Sequence, residues 1–115
     1  MQAEKSKRFQ ALHARPGAFV IPNPWDAGSA RILQALGFEA LTTTSGGLAF
    51  TLGRRDGEGA ISREETLANA KAIVEATNLP VAADLENGFV QLRDDVPGLG
   101  LSMKTEFLDQ FNIVE

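Results

Sequence analysis

An α/β fold with parallel strands is predicted for this chain by two features of its 115 residues. Short aliphatic or β-branched runs alternate with segments of helical periodicity, and each run ends in a cluster of small polar residues. Strands separated by helices of ten or more residues imply βαβ units, and right-handed crossovers then make the sheet parallel.

The elements follow in order. Ala3 to Ala14 reads as a helix with a modest apolar set, Phe9 and Leu12, ended by Arg15-Pro16-Gly17. Ala18-Phe19-Val20-Ile21 is an apolar run between Gly17 and Pro22, expected to be a buried strand. Asp26 can cap a helix from Ala27 to Leu36, with Gly37 as its left-handed stop. Ala40 to Thr44 is a second strand, ended by Ser45-Gly46-Gly47. A polar glycine-rich loop, Gly53 to Gly59, precedes Ser62-Arg63-Glu64-Glu65, a capping box that opens a helix with Leu67, Ala70, Ile73 and Val74 on its core side. Asn78-Leu79-Pro80 closes that helix, and Val81 to Asp84 is a third strand. Beyond Val90 the alternation is lost; Val96-Pro97-Gly98 breaks the chain, and Ser102 could cap a short helix through Phe111.

Composition bounds the function. A length of 115 residues allows one domain, and 43% hydrophobic with 23% charged residues is ordinary for a globular protein. The net charge of −4, with no run of Lys/Arg longer than two, gives no footprint for nucleic acid. Without cysteine there is no disulfide, zinc thiolate or thiol nucleophile. No apolar stretch reaches the ~20 residues that span a bilayer, and Met1 to Arg8 lacks the apolar core of a signal peptide, so a cytoplasmic location is expected.

Three strand ends carry the residues capable of chemistry: Asn23-Pro24-Trp25-Asp26, Ser45-Gly46-Gly47 and Asp84-Leu85-Glu86-Asn87-Gly88. In a parallel α/β fold these ends share one face, where ligands bind. Asp84 and Glu86, two apart on an extended segment, would point to one side and could share Mg²⁺, which needs only one or two protein carboxylates. The competing reading is a turn residue followed by a solvated charge. Ser45-Gly46-Gly47 offers a hydroxyl and open N–H groups to carboxylate or phosphate oxygens, or is simply a tight turn. Trp25 suits a pocket wall or a core plug. Asp56, beside Arg54 and Arg55, reads by itself as a surface charge. His13, in the first helix, is expected to pack rather than act as a base.

Together the segments Pro22-Asn23-Pro24-Trp25-Asp26-Ala27-Gly28-Ser29-Ala30-Arg31, Ser45-Gly46-Gly47-Leu48-Ala49 with Leu52-Gly53-Arg54-Arg55-Asp56, and Asp84-Leu85-Glu86-Asn87-Gly88-Phe89 resemble the isocitrate lyase/phosphoenolpyruvate mutase superfamily over residues 8 to 89. The resemblance implies a parallel-stranded (β/α)₈ TIM barrel, of which this chain would hold about three of eight βα units, since such barrels take about 250 residues. It implies Mg²⁺ as cofactor and a small α-keto or enol carboxylate as substrate, with a C–C or P–C bond cleaved or formed through an enolate-like intermediate. By motif, Ser45, Gly46 and Gly47 match the substrate-carboxylate loop; Asp84 and Glu86 match metal carboxylates, and Asp56 one that acts through water; Trp25 is counted with the expected substrate-binding residues. Thr43 departs from the aromatic common at its position. Full-length relatives are expected to be homo-oligomers.

The expected division is residues 1–89 as the N-terminal part of a lyase/phosphonomutase-like barrel and 90–115 as a divergent tail, disordered or read in a shifted frame. A chain ending there would leave an open sheet edge, tend to aggregate alone, and lack turnover. Two other readings stand beside this one: a non-catalytic binding or assembly fragment of the same layout, and an unrelated flavodoxin-like binding domain.

Overall fold

The computed structural model describes residues 2–86 and, as backbone, two short strands at 89–91 and 112–114. The elements are α1 (Gln2–Ala14), α2 (Ala27–Ala35), β1 (Leu41–Thr42), α3 (Ser45–Thr51), α4 (Arg63–Ala76), β2 (Val81–Ala82), β3 (Phe89–Gln91) and β4 (Asn112–Val114). β1 and β2 pair in parallel, Leu41 opposite Val81 and Thr42 opposite Ala82. A parallel pair requires a crossover, and the long connection carrying α3 and α4 provides it. β3 and β4 form a separate antiparallel pair with Phe89 opposite Val114. The helix expected between Ser102 and Phe111, with the rest of residues 92–111 and residue 115, lies outside the described residues.

Local chemistry sets the helix ends. Asp26 Oδ1 accepts the Ser29 N–H at 2.7 Å while Ser29 Oγ accepts the Asp26 N–H, so the cap of α2 is reciprocal. Gly37, at φ +94°, takes the left-handed turn that follows. Ser62 and Glu65 make the same reciprocal cap on α4. The core forms where these helices meet the sheet: Ala30, Leu41, Ala70, Ile73, Val74 and Val81 are buried together, with Leu33, Leu67 and Leu79 against them. The apolar stripe of α4 is thus core, and burying one side chain such as Ile73 contributes about 1.5–3 kcal/mol.

α1 has a weak apolar face, with Leu12 its buried residue. It docks through charge: Lys5 Nζ donates to the Val74 and Thr77 carbonyls at 3.1 and 2.9 Å, and Arg8 donates to the Asn78 carbonyl at 2.8 Å. These cations satisfy carbonyls left open at the end of α4. His13 packs edge-on between Phe9 and Phe19 and donates from Nδ1 to the Phe9 carbonyl, a packing role as expected.

Three local expectations are corrected. Ala18 to Ile21 forms no ladder; the segment meets β1 through the Thr42 N–H donating to the Pro22 carbonyl, and Val20 is exposed. Pro22 and Pro24 have no N–H to donate, which leaves the segment beside β1 without regular pairing. Ser45-Gly46-Gly47 is not a simple turn but the first turn of α3, capped by Thr44, whose Oγ1 accepts the Gly47 N–H. Asp84 and Glu86 do not continue a strand: β2 stops at Ala82, and Glu86 lies at φ +59° in a turn, so alternation along a strand does not align their carboxylates.

Candidate active site

Parallel pairing puts the carboxyl ends of β1 and β2 on one edge, and side chains from four segments converge there. Thr43, buried just beyond β1, accepts the Asp84 N–H on its hydroxyl at 2.8 Å. This clamps the exit of β2 to the exit of β1. Asp84 Oδ2 then accepts both the Ser45 N–H and the Ser45 hydroxyl, at 3.2 and 3.0 Å, while Oδ1 accepts the Glu86 N–H at 2.9 Å. Partial burial opposes ionisation of Asp84, but the donors from Glu86 and Ser45 outweigh it and hold its pKa below the ordinary aspartate value. Asp84 is an anion at neutral pH.

The Glu86 carboxylate reaches the glycine-rich loop. Its Oε1 is buried without a hydrogen-bond partner among the described residues and lies 3.9 Å from where a Cβ on Gly57 would stand. A buried carboxylate oxygen left unpaired is costly, and a cation or a hydrogen-bond donor would satisfy it. Asp56 comes from the same loop. Its carboxylate lies over Gly46 of α3, with Oδ2 3.1 Å from where a Cβ on that glycine would stand. Neither neighbouring arginine pairs with it: Arg54 binds Glu65, and Arg55 binds Glu58.

Ser45-Gly46-Gly47 therefore spends most of its donors internally. Ser45 binds Asp84 and the Gly47 N–H binds Thr44, leaving the Gly46 N–H as the donor of this turn without a protein acceptor among the described residues. Gly47 is glycine for space, since a Cβ there would stand 2.6 Å from Thr44 Cγ2 and 3.1 Å from Trp25 Cβ. Trp25 is neither fully buried nor a core plug; it is 48% exposed, at the rim beside Gly47. Its backbone is held by Ser29 Oγ, which accepts the Trp25 N–H, and by Asn69, which donates to the Trp25 carbonyl.

The structure thus brings Trp25, Ser45, Gly46, Gly47, Asp56 and Asp84 to one edge, with Glu86 adjoining through Gly57. Among the described residues, no three acidic or histidine side chains are close enough to hold an ion by themselves. Thr43 and Thr44 are site residues that spacing did not single out as such. By spacing the Thr42-Thr43-Thr44 run reads as β-propensity, with Thr43 marked only by its departure from the family's aromatic, and which hydroxyl reaches across to β2 depends on register. A separate cavity of about 370 Å³, lined by Arg8, Leu12, Arg15, Phe38, Glu39 and Leu79, opens at the amino ends of the strands, away from these groups. No helix among the described residues is long and apolar enough to cross a membrane.

The chain is similar to known proteins over most of its length. The family profile of phosphoenolpyruvate phosphomutase matches residues 9–99. The chain is 34% identical over 88 residues to 2-methylisocitrate lyase of Halalkalibacterium halodurans, covering 76% of this chain and 29% of that protein. It is 42% identical over 71 residues to 2,3-dimethylmalate lyase of Eubacterium barkeri, covering 61% of this chain and 24% of that one. Among solved structures, a candidate lyase/mutase of Burkholderia cenocepacia J2315 superposes with a TM-score of 0.70 at 56% identity, over 75% of this chain and 30% of that chain. The chain spans less than a third of the length of these relatives.

Proposed function

Because the chain belongs to the phosphoenolpyruvate phosphomutase family, within the PEP mutase/isocitrate lyase superfamily, we propose that it carries the carboxylate cradle and part of the Mg²⁺ site of a lyase or phosphonomutase. The substrate class is a small α-keto or enol carboxylate, and the fold of origin is a (β/α)₈ barrel of which these residues form the opening units.

The observation that carries this reading is the double hydrogen bond from Ser45 to Asp84, which joins the proposed cradle directly to the proposed metal carboxylate. Asp84, held ionised, and Glu86, with its orphaned Oε1, are the residues that fit Mg²⁺. When bound, Mg²⁺ would supply positive charge to offset the charge developing on an enolate-like fragment. The rest falls to the protein's own groups. The Gly46 N–H donates to a substrate carboxylate oxygen, Ser45 fixes the orientation of Asp84, Asp56 orients water near Gly46, and Trp25 walls the cradle beside Gly47.

A second reading is binding without turnover, in which the same Asp84 and Glu86 edge takes Mg²⁺ and a small carboxylate. The same experiment addresses both. Trp25 is the one tryptophan, so its fluorescence reports on the cradle when Mg²⁺ is titrated with oxalate or pyruvate. A saturable, Mg²⁺-dependent change that Glu86→Gln abolishes supports the shared metal and carboxylate site, and turnover of an α-keto acid under the same conditions separates enzyme from binder. A flat response in the folded chain removes both readings.

A further inference from the structure

The loop that bears Asp56 has little to hold it by conformation alone. Gly53, Gly57, Glu58 and Gly59 all sit at positive φ, between +57° and +92°, and such residues lose much freedom on ordering. Arg54 is what spans it. Its N–H donates to the Ala49 carbonyl at the end of α3, and its Nη1 donates to the Ala60 carbonyl at 3.2 Å, closing the loop across its base. The same Nη1 donates to Glu65 Oε1 at 2.6 Å. That oxygen is also the one that accepts the Ser62 N–H in the cap of α4.

We propose that Arg54 is a positioning residue for the site: with Glu65 it latches the 53–60 loop to the first turn of α4, and this holds Asp56 against Gly46 and the loop's Gly57 against Glu86. The chemistry favours the latch over an incidental surface pair. An isolated exposed ion pair contributes little, but here the carboxylate is already ordered by the α4 cap, the Arg54 backbone by the Ala49 carbonyl and its guanidinium by the Ala60 carbonyl, so less side-chain entropy remains to be lost. Remote orienting contacts of this kind tune the affinity of a site without touching its ligand.

This inference rests on the proposed Mg²⁺–carboxylate site for its affinity readout, but not for its structural one. In the metal-free chain, Arg54→Gln should shift the Gly46 amide resonance and those of Gly57 and Gly59, while the amides of Ala70, Ile73 and Val74 in the core keep their positions. In the Mg²⁺–oxalate titration the same variant should bind about tenfold more weakly. Arg54→Lys, which keeps a charged donor able to reach both acceptors, should restore most of both signals. A Gly46 resonance unmoved by Arg54→Gln overturns the latch, whatever the ligand does. So does loss of the core amides in both variants, which would make Arg54 a residue of the fold. A wild-type chain with no Mg²⁺–oxalate response, but with the Gly46 shift in Arg54→Gln, sinks the functional reading and leaves the latch standing.

Discussion

Ser45 donates twice to one oxygen of Asp84, from its backbone and from its hydroxyl, across 39 residues of sequence. This contact joins the start of α3 to the exit of β2 and orders a carboxylate on the ligand-facing edge. Removing the acceptor charge should cost both stability and binding. Asp84→Asn is expected to lower stability by about 1 kcal/mol, the group being partly exposed, and to abolish the Mg²⁺-dependent change in Trp25 fluorescence. Urea denaturation and the titration together check this; an unchanged response would remove Asp84 from the metal site.

Gly46 and Gly47 are neighbours in α3 with opposite expectations. Gly46→Ala gains helix propensity, so stability should hold or rise slightly, while the added Cβ pushes on the Asp56 carboxylate and weakens ligand binding. Gly47→Ala places its Cβ on Thr44, the residue that caps the helix, and should destabilise by about 1–3 kcal/mol. Thermal melts of the two variants measure the contrast, and equal losses would contradict it.

Acid should weaken the fold in two places. Arg54, then Ser62, hold Glu65 down to about 2 from its ordinary 4.5, and Asp84 lies below its ordinary 3.8. Both pKa values are lower folded than unfolded, so the stability they contribute is complete above the unfolded values and drains away as pH falls, for Glu65 between about 4.5 and about 2. Glu65→Gln should flatten that part of the stability–pH curve. A wild-type slope in the variant would mean other groups carry the effect.

Ile73 is fully buried between α2, α4 and the β1–β2 pair. Ile73→Ala should cost about 2–5 kcal/mol in chemical denaturation. A loss under 1 kcal/mol would mean that this cluster is not the core on which the site rests.

Much of this protein was legible in order along the chain, because the signals are local. Asp26 with Ser29, Ser62 with Glu65, and Gly37 each complete their hydrogen bonds or turn within four residues, so α2 and α4 could be bounded from spacing alone. The apolar stripe of α4 and the alternation of strands with helices likewise carried the parallel layout and the shared edge where Ser45, Asp84 and Trp25 meet. Tertiary structure decided what depends on distant partners. Thr43 reaches Asp84 across 41 residues, Asp56 comes to lie beside Gly46 from a loop whose own sequence reads as surface, and Glu86 takes a left-handed turn in which one oxygen is buried and, among the described residues, unpaired. Periodicity describes which way a side chain faces within its own element; it cannot say which side chain waits at the end of another.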